Sequence, residues 1–583
     1  MSRPSSNTIA RRWPPWPNWA SCQSLVVGSF FAVFFVIGLF VSRDFGISWD
    51  EQVQHDYGRA VYEYVFEGNG ALLQSDLRYY GSVVELPLYA AERMLGLEDG
   101  REIYLFRHAC TFLIFFGGVF FFFLLCKLHF QDWRTGLFGA TLLILSPRIF
   151  ADGFFNTKDI PFLVFFVVSA YTLLRYLERS NIFWTTIHAL ACSLLIDIRI
   201  PGVIMVFITL LFAGMHLRKA DLRRETVISV AWYLLILTGC TVLFWPALWH
   251  APLAAFVESF QRMKQYAWGG DVFYFGQYIG GNHLPWHYLF VWIAITTPLS
   301  YTVLSILGMT ASLPSLLKKN EAISPAVCRN RCFFFLWFWL PLASVLLLHS
   351  VVYDGWRHVY FLYPALILFT LEGCMFLLRQ TANSLPLRNL FLASLGTSLC
   401  FTFVFMLRNH PFEQVYFQPL ARSIAGGFER DYWGTSYRQG FEYILAYDAS
   451  DVIPVAVAGA PGYINKQILP PSERRRVRIV QRPEEARYFL TNYRSHYTEV
   501  VPYLELKALR VSGLKIMGIY LVDCDHPFSL TFWTSCASYL KGPRDGATPE
   551  QLADFKAKMD EISRAAARCG YSGFGFDRCQ KLQ

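Results

Sequence analysis

Two adjacent carboxylates lie a few residues after the first long apolar run of the chain. Asp50 and Glu51, in the stretch SWDE, follow the run Leu25–Val41 almost directly. An acid group this close to the end of a membrane span lies where lipid headgroups meet water. There it can take a proton from a hydroxyl substrate while a lipid-borne second substrate is held beside it. We therefore predict that Asp50 and Glu51 are catalytic, with Asp50 as the main candidate.

The same stretch also has a purely structural interpretation. Ser48 followed by Glu51 three positions later is a capping box, which predicts a helix over Trp49–Phe66. In that role Glu51 accepts a hydrogen bond from a backbone N–H and takes no part in chemistry. Capping explains Asp50 less well, and a helix N-terminus favours the ionised form of Asp50. The alternative stays open for Glu51.

The composition is that of a membrane protein. Of the 583 residues, 54% are hydrophobic and only 16% are charged, whereas soluble domains carry about a quarter charged residues. The apolar residues form runs long enough to cross a bilayer, which takes about 20 residues each. The net charge of +9 comes mostly from Arg and Lys between these runs, where membrane topology accounts for it. We predict contact with membrane lipids and not with nucleic acid.

About eleven such runs predict a multi-pass α-helical membrane protein. Basic residues cluster in alternate connections, and the positive-inside rule places these connections and the N-terminus in the cytoplasm. The predicted divisions are a cytoplasmic lead over residues 1–23, a membrane domain over 24–407 and an outer domain over 408–583. Outer loops are predicted at 43–103, 147–159 and 246–286.

The tail from residue 408 has the pattern of a small α/β domain. Its four cysteines are an even number in one polar segment, which predicts two disulfides in an oxidising outer compartment without fixing their pairing. These cysteines are Cys524, Cys536, Cys569 and Cys579. The predicted elements are a helix over Tyr437–Tyr447, strands over Asp451–Ala460, Arg476–Val480 and Ala486–Thr491, a hairpin over Leu504–Val522 and a helix over Pro549–Ala567.

Ionisable residues of both signs lie near the span ends in the predicted outer loops. Charged residues at membrane depth are costly and are functional candidates by default. Each also has a simpler explanation, since Lys158 and Arg357 could anchor headgroups and Asp152 and Asp159 could pair with nearby cations. The prediction of a site depends on their convergence. The polar residues near these span ends include Arg78, Tyr80, Arg148, Asp152, Asn156, Lys158, Asp159, Asp197, Arg199, Asp354, Arg357 and His358.

These residue types suit the transfer of a sugar from a lipid phosphate. Arg and Lys can hold a phosphate, and a carboxylate can take a proton from an attacking hydroxyl. The leaving group would be a phosphate anion, which the cations stabilise. Nucleotide sugars do not normally occur outside the cytoplasm, so a site on the outer face favours a lipid-linked donor.

Four segments carry a family resemblance. They are RIFADGFFNTKDIPF (148–162), YDGWRHVYFLYP (353–364), HPFEQVYFQPLA (410–421) and FERDYWGTSYRQ (428–439). Together with the long first span, the acidic pair after it and the large first loop, they resemble the GT-C superfamily of membrane glycosyltransferases. Its nearest branches are the protein O-mannosyltransferases and the lipid A aminoarabinose transferase. The resemblance covers mainly Ser24–Leu407.

The resemblance implies an inverting glycosyltransferase in the inner (plasma) membrane, with a polyprenyl-phosphate-linked sugar as donor and the active site on the periplasmic side. It places the general base on Asp50, with Glu51 beside it. By position and charge, donor-phosphate binding is expected at Arg78, Tyr80, Lys158, Arg357 and His358. Further pocket residues are expected at Asp152, Asn156, Asp159 and Asp354.

Two departures from the family limit what the resemblance implies. The first loop lacks the His-Pro-Pro element of the mannosyltransferases and has Tyr79–Tyr80–Gly81 instead. This favours a lipid or glycan acceptor over a protein. Some members of the superfamily use a divalent metal, and the sequence shows no clear set of metal ligands.

Two other functions compete with this reading. A transporter or flippase of a lipid-linked sugar would carry ionisable residues inside its spans, near the midplane, where this chain has mainly Glu372. A surface-glycan polymerase or ligase would have a large late loop. The early position of Asp50 does not match that arrangement, so the glycosyltransferase is the leading hypothesis.

Overall fold

The computed structural model describes residues 23–217, 223–264, 268–317, 324–497, 501 and 503–522. The lead over 1–22, the predicted helix Pro549–Ala567 and the predicted disulfides of the tail lie outside these residues.

Most of the described chain up to Asn409 is helical. Its helices are α1 (Gln23–Val41), α2 (Trp49–Tyr62), α3 (Glu85–Leu95), α4 (Gly100–Phe130), α5 (Trp133–Ile144), α6 (Pro147–Phe155), α7 (Asp159–Glu178), α8 (Ile182–Ile198), α9 (Val203–Leu217), α10 (Arg223–Phe244), α11 (Pro252–Lys264), α12 (Tyr288–Thr296), α13 (Leu299–Ser312), α14 (Pro314–Leu317), α15 (Pro325–Leu347), α16 (Tyr363–Gln380) and α17 (Leu385–Asn409).

Within the described residues, eight helical stretches are long and apolar enough to cross a membrane. They are built on α1, α4, α7, α10, α13, α15, α16 and α17. The helices α5 and α6 are together long enough but are bent by 72°, and α8 and α9 are shorter apolar helices. The fold is therefore a multi-pass α-helical membrane protein, as the sequence predicts.

The first large loop contains two helices that pack on each other. The helix predicted over Trp49–Phe66 is present as α2, followed by a π-helical turn over Glu63–Glu67. The turn ends at Gly68, whose φ of 74° suits a residue without a Cβ. Helix α2 approaches α3 closely at Gly58, where a Cβ would come within 2.7 Å of the Glu85 carbonyl oxygen.

The prediction of a polar outer loop over 147–159 is wrong for most of its length. The segment forms helix α6, all of whose nine residues are buried. Pro147 occupies the first turn, where its missing N–H costs nothing. The aromatic ring of Phe154 stacks on the rings of Phe45 and Phe112, with centroids 4.7 and 5.4 Å away. The polar residues of this segment therefore face other protein groups and not water.

The second large loop contains α11 and a β-hairpin. Its strands β1 (Asp271–Tyr274) and β2 (Gln277–Gly280) pair antiparallel. The two turn residues, Phe275 and Gly276, both have positive φ, which is the geometry that joins tightly twisted strands. Tyr274 forms a further antiparallel bridge to Phe428 of the tail, so the hairpin connects the second loop to the C-terminal part of the chain.

The tail contains a five-stranded mixed sheet in the order β4-β3-β5-β7-β6. Strand β3 pairs parallel with β4 and β5, and β7 pairs antiparallel with β5 and β6. The predicted strands, hairpin and helix over 437–522 coincide with elements of the structure. These are α18 (Tyr437–Tyr447), β3 (Ile453–Val457), α19 (Ala460–Asn465), α20 (Pro471–Arg476), β4 (Val477–Ile479), β5 (Tyr488–Thr491), β6 (Leu504–Val511) and β7 (Leu514–Leu521). We refer to residues 437–522 as the sheet unit.

The sheet unit is joined to the helical part by buried contacts. Residues 413–433, between α17 and α18, place Tyr416, Phe417 and Trp433 in the same hydrophobic core as α4 and α16. The side chain of Asn465 accepts a hydrogen bond from the N–H of Ile47 and donates to its carbonyl, both over 2.8 Å. The tail therefore lies against the start of the first loop.

Candidate active site

Arg357 lies at the centre of three carboxylates. Its Nη1 donates to Asp50 over 3.1 Å and to Asp159 over 3.2 Å, and its Nη2 donates to Asp354 over 3.0 Å. The acids come from the start of α2, the start of α7 and the turn before the short helix Arg357–Leu362. The structure thus brings together four of the predicted site residues from three separate connections.

Asp50 differs from the other two acids in exposure. Its side chain is 28% exposed, whereas those of Asp159 and Asp354 are 1% and 5% exposed. It occupies the first turn of α2, where the helix dipole favours a negative charge. Of the three carboxylates, Asp50 is therefore the one that a substrate can reach.

Lys158 is a half-buried cation with no carboxylate within ion-pair distance among the described side chains. Its Nζ lies 3.3 Å from the centroid of the Tyr80 ring. Burial and then the charge of Arg199 lower the pKa of Lys158 to about 7, and the charge of Asp50 opposes the shift. Arg199 itself pairs with Asp159. An anion brought to this place would therefore restore the charge of Lys158.

A cavity of about 340 Å³ lies beside the cluster. Tyr80, Arg199, Tyr353 and His358 form a polar part of its wall, and apolar residues of α9 and α15 and of the connections between helices form most of the rest. The buried Nδ1 of His358 has no hydrogen-bond partner in the part of the chain that the structure describes. Buried polar atoms are nearly always paired, so this ring is suited to meet a bound polar group.

Glu51 has the structural role that the sequence left open. Its Oε2 accepts a hydrogen bond from the N–H of Ser48 over 2.6 Å, which completes the capping box of α2. Its Oε1 lies 2.9 Å from Nε2 of His108, and the side chain is fully buried. Both carboxylate oxygens of Glu51 therefore contact groups outside the Arg357 cluster, so the structure does not support its predicted part in catalysis.

Arg78 is not brought to the cluster. Its Nη2 donates to the hydroxyl of Tyr79 over 2.9 Å and to Glu258 of α11 over 3.1 Å. The predicted role in donor-phosphate binding does not fit this position, because the guanidinium already pairs with a carboxylate of the second loop. Its neighbour Tyr80 does line the cavity.

The remaining predicted pocket residues support the cluster through hydrogen bonds. The amide of Asn156 donates to Asp152 over 3.2 Å and to Asp159 over 3.1 Å. Asp152 also accepts a hydrogen bond from the indole of Trp433 over 3.2 Å. The Arg357 guanidinium lies 4.8 Å from the centre of the Trp433 ring, a cation–π geometry. These residues position Asp159 and Arg357.

Two residues of the cluster are not among the predicted sites and come from the tail. Trp433 lies in the segment 428–439, which carries part of the family resemblance, but nothing in the sequence places it under Arg357. Arg494 follows strand β5 and pairs with Asp354 over 2.6 Å. The sequence analysis names Arg199 only as one of the polar residues near the span ends and gives it no role in the site.

The residues present do not fit a metal site. In the ranges that the structure describes, no group of three or more His, Cys, Asp or Glu side chains is placed to hold a metal ion. The three acids of the cluster are instead paired with arginine. No step is assigned to a metal.

Three solved structures are similar in shape. The apo form of ArnT from Cupriavidus metallidurans is 13% identical, with a TM-score of 0.44, 86% of this chain covered and 98% of that one. The apo oligosaccharyltransferase of Archaeoglobus fulgidus is 12% identical, with a TM-score of 0.41, 80% of this chain covered and 66% of that one. AglB of the same archaeon, in complex with an inhibitory peptide and a dolichol-phosphate, is 11% identical, with a TM-score of 0.42 and coverages of 86% and 75%.

The sequence of one segment matches a known family. Residues 95–250, which extend from the end of α3 to just before α11, match the family described as dolichyl-phosphate-mannose-protein mannosyltransferase. No curated protein matches the chain. The matched segment contains Asp152, Asn156, Lys158, Asp159 and Arg199.

Proposed function

We propose that this chain is a membrane glycosyltransferase of the GT-C superfamily that moves a sugar with inversion from a polyprenyl-phosphate donor to a lipid or glycan acceptor. The match of residues 95–250 to a mannosyltransferase family supports this proposal. One observation carries the proposal. A partly exposed carboxylate, Asp50, bonds Arg357 and lies within electrostatic reach of Lys158, beside a cavity with a polar and an apolar part.

The cavity supports a donor with a charged head and an apolar chain. Lys158, Arg199 and Arg357 lie at or near its polar part, where they would hold the phosphate. Val203 of α9 and Val345 of α15 are among the apolar residues along its wall, against which the first isoprenoid units would pack. A free nucleotide sugar would leave this apolar wall without a partner.

The proposed step is a single displacement. Asp50 takes the proton of the acceptor hydroxyl. At the same time the hydroxyl oxygen attacks the anomeric carbon from the face opposite the phosphate. The bond from the anomeric carbon to the phosphate oxygen breaks, and its electron pair stays on that oxygen. The lipid phosphate gains one negative charge, which Lys158 and Arg357 stabilise. One displacement inverts the configuration of the anomeric carbon.

The proposed face of the membrane is the outer one. Asp50 follows α1, whose opposite end adjoins the basic N-terminal lead. The positive-inside rule places that lead in the cytoplasm and Asp50 outside. In a bacterium this corresponds to the periplasmic side of the inner membrane, where a lipid-linked sugar is the available donor.

The proposal is tested by mass analysis of surface glycolipids and glycoproteins from a deletion strain. A sugar should be missing, and the wild-type gene should restore it. Asp50→Asn should insert into the membrane at normal levels and restore no sugar, because an amide cannot take the proton. Asp56→Asn is the matched control, since Asp56 lies on the same helix, is exposed and pairs with Arg59 at the surface. Full restoration by Asp50→Asn would remove Asp50 as the base.

A further inference from the structure

Asp354 is shared by two arginines from different parts of the chain. Arg357 donates to its Oδ2 over 3.0 Å, and Arg494 of the sheet unit donates to its Oδ1 over 2.6 Å. Asp354 is buried and has a φ of 56°, and Gly355 after it has a φ of 72°. A tight left-handed turn therefore aims this carboxylate. It couples the candidate active site to the sheet unit.

Arg494 also contacts groups next to two site residues. Its Nη1 donates to the backbone carbonyl that precedes Trp433, the residue on whose ring Arg357 lies. Its guanidinium lies 5.4 Å from the centre of the Trp49 ring, and Trp49 directly precedes Asp50. One side chain from the sheet unit therefore contacts the residue before Asp50 and the residue before Trp433.

A second buried carboxyl, Glu429, makes Arg494 electrostatically important. Burial and then the charge of Asp354 raise the pKa of Glu429 to about 8, and the charge of Arg494 opposes this shift. Without Arg494, Arg357 would be the one arginine among the described residues that still bonds Asp354. Arg357 now bonds Asp50 and Asp354 at once. If its guanidinium moved to bond both oxygens of Asp354, it would lose its hydrogen bond to Asp50.

We propose that Arg494 is a positioning residue for sugar transfer. By holding Asp354 from the side of the sheet unit, it keeps Arg357 aimed at Asp50 and at the place of the donor phosphate. This inference rests on the proposed function. It makes the sheet unit a part of the catalytic apparatus, because the arginine that holds the site is supplied by the loop after β5.

The test uses the purified full-length protein added to detergent-solubilised membranes of the deletion strain, which contain donor and acceptor lipids that have not reacted. Arg494→Ala should lower kcat by about 30-fold and change KM for the membrane extract by less than about threefold, since a misaimed group costs rate more than binding. Arg494→Lys should recover part of the loss, because it keeps the charge but not the fork of donors. Millimolar guanidinium chloride should raise the rate of Arg494→Ala severalfold.

Arg478→Ala is the matched control. Arg478 is an exposed arginine on β4 of the same sheet unit, and its loss should leave kcat and KM at wild-type values. Thermal midpoints in detergent identify variants that fail to fold, and Arg494→Gln, which keeps a polar side chain of similar length, replaces Arg494→Ala if that variant unfolds.

The outcomes separate this inference from the proposed function. A kcat for Arg494→Ala and Arg494→Gln within threefold of wild type overturns the inference alone. So does a loss that Arg478→Ala shares or that appears in KM and not in kcat. A wild-type protein that transfers no sugar overturns the proposed function, and this inference with it.

Discussion

Two of the buried clusters of charge in the helical part, one around Arg357 and one around Glu372, make a useful comparison. Both residues belong to the helical stretch Arg357–Gln380, Arg357 in its short first helix and Glu372 in α16. Glu372 accepts two hydrogen bonds from Arg331, over 2.9 and 2.7 Å, and lies 2.9 Å from Nε2 of His129. Around Arg357, by contrast, three acids share one arginine and a cavity lies alongside.

The two clusters differ in how fully their charged groups are paired. Both oxygens of Glu372 are bonded, and Arg331 also donates to Ser315, so this cluster is closed. Near Arg357, Asp50 is partly exposed, and the ammonium group of Lys158 lies over the Tyr80 ring and pairs with no carboxylate of the described residues. A buried charge therefore does not by itself mark function. The open cluster is the candidate for chemistry, and the closed one joins α4, α15 and α16.

The largest effect that would test this comparison is expected at Arg357. Arg357→Gln should lower kcat by about 10²–10³-fold, because it removes a cation aimed at the developing phosphate charge and leaves three acids facing each other. Arg357→Lys should lose less, since it keeps a point charge. Turnover with solubilised deletion-strain membranes is the measurement. A rate for Arg357→Gln within about tenfold of wild type would contradict the role given to the open cluster.

The closed cluster should respond in stability and not in rate. Glu372→Gln should destabilise the protein by about 3 kcal/mol, because it leaves Arg331 as a buried charge without a counterion. The thermal midpoint in detergent measures this loss. The kcat per folded molecule should stay within about twofold of wild type. The double variant Glu372→Gln/Arg331→Met should be more stable than the single one, and a large loss of kcat in either would bring the transporter hypothesis back.

The next largest effect is expected in the pH dependence of donor binding at the open cluster. Burial, and then Arg199, lowers the pKa of Lys158 to about 7, so Lys158 is charged below pH 7 and neutral above it in the free protein. A phosphate needs the charged form. The Kd for undecaprenyl phosphate should therefore rise by up to about tenfold per pH unit above pH 7.

Lys158→Met provides the control for this measurement. It should bind more weakly at pH 6 and lose the part of the pH dependence that comes from the protein, while ionisation of the lipid phosphate remains the same in both proteins. Equal pH profiles for the two proteins would show that Lys158 does not hold the phosphate.

The smallest effect is expected at Glu51, which adjoins the open cluster in sequence but is closed like Glu372. Glu51→Gln keeps a residue that can complete the capping box and should cost about 1 kcal/mol or less of stability. Its kcat should stay within about twofold of wild type. A loss of a hundredfold or more would return Glu51 to the catalytic role that the sequence analysis predicts.

The charged residues of the site could be predicted because each breaks a simple rule. Asp50, Lys158 and Arg357 lie at the ends of apolar runs, where a charge is costly. Trp433 and Arg494 could not be predicted, because they reach the site only after the tail has folded against the first loop. No local sequence pattern indicates this long-range contact.

The same distinction holds for the fold. The capping box predicts the start of α2, and alternating residues predict β6 and β7, because these signals are local. Helix α6 was missed because its segment is only nine residues long and carries the charged residues Arg148 and Asp152. Its burial depends on aromatic rings from α4 and from the start of the first loop.

The contact between the tail and the C-terminal end of α1 limits how many times the chain can cross the bilayer. Arg438 donates to the carbonyl of Phe45, and Asn465 bonds to Ile47, so the chain leaves α1 and returns to the same side before the sheet unit begins. Between these points it must traverse the bilayer an even number of times. If the other seven long helices all traverse it, then one or all three of α8, α9 and the bent pair α5–α6 must do so too.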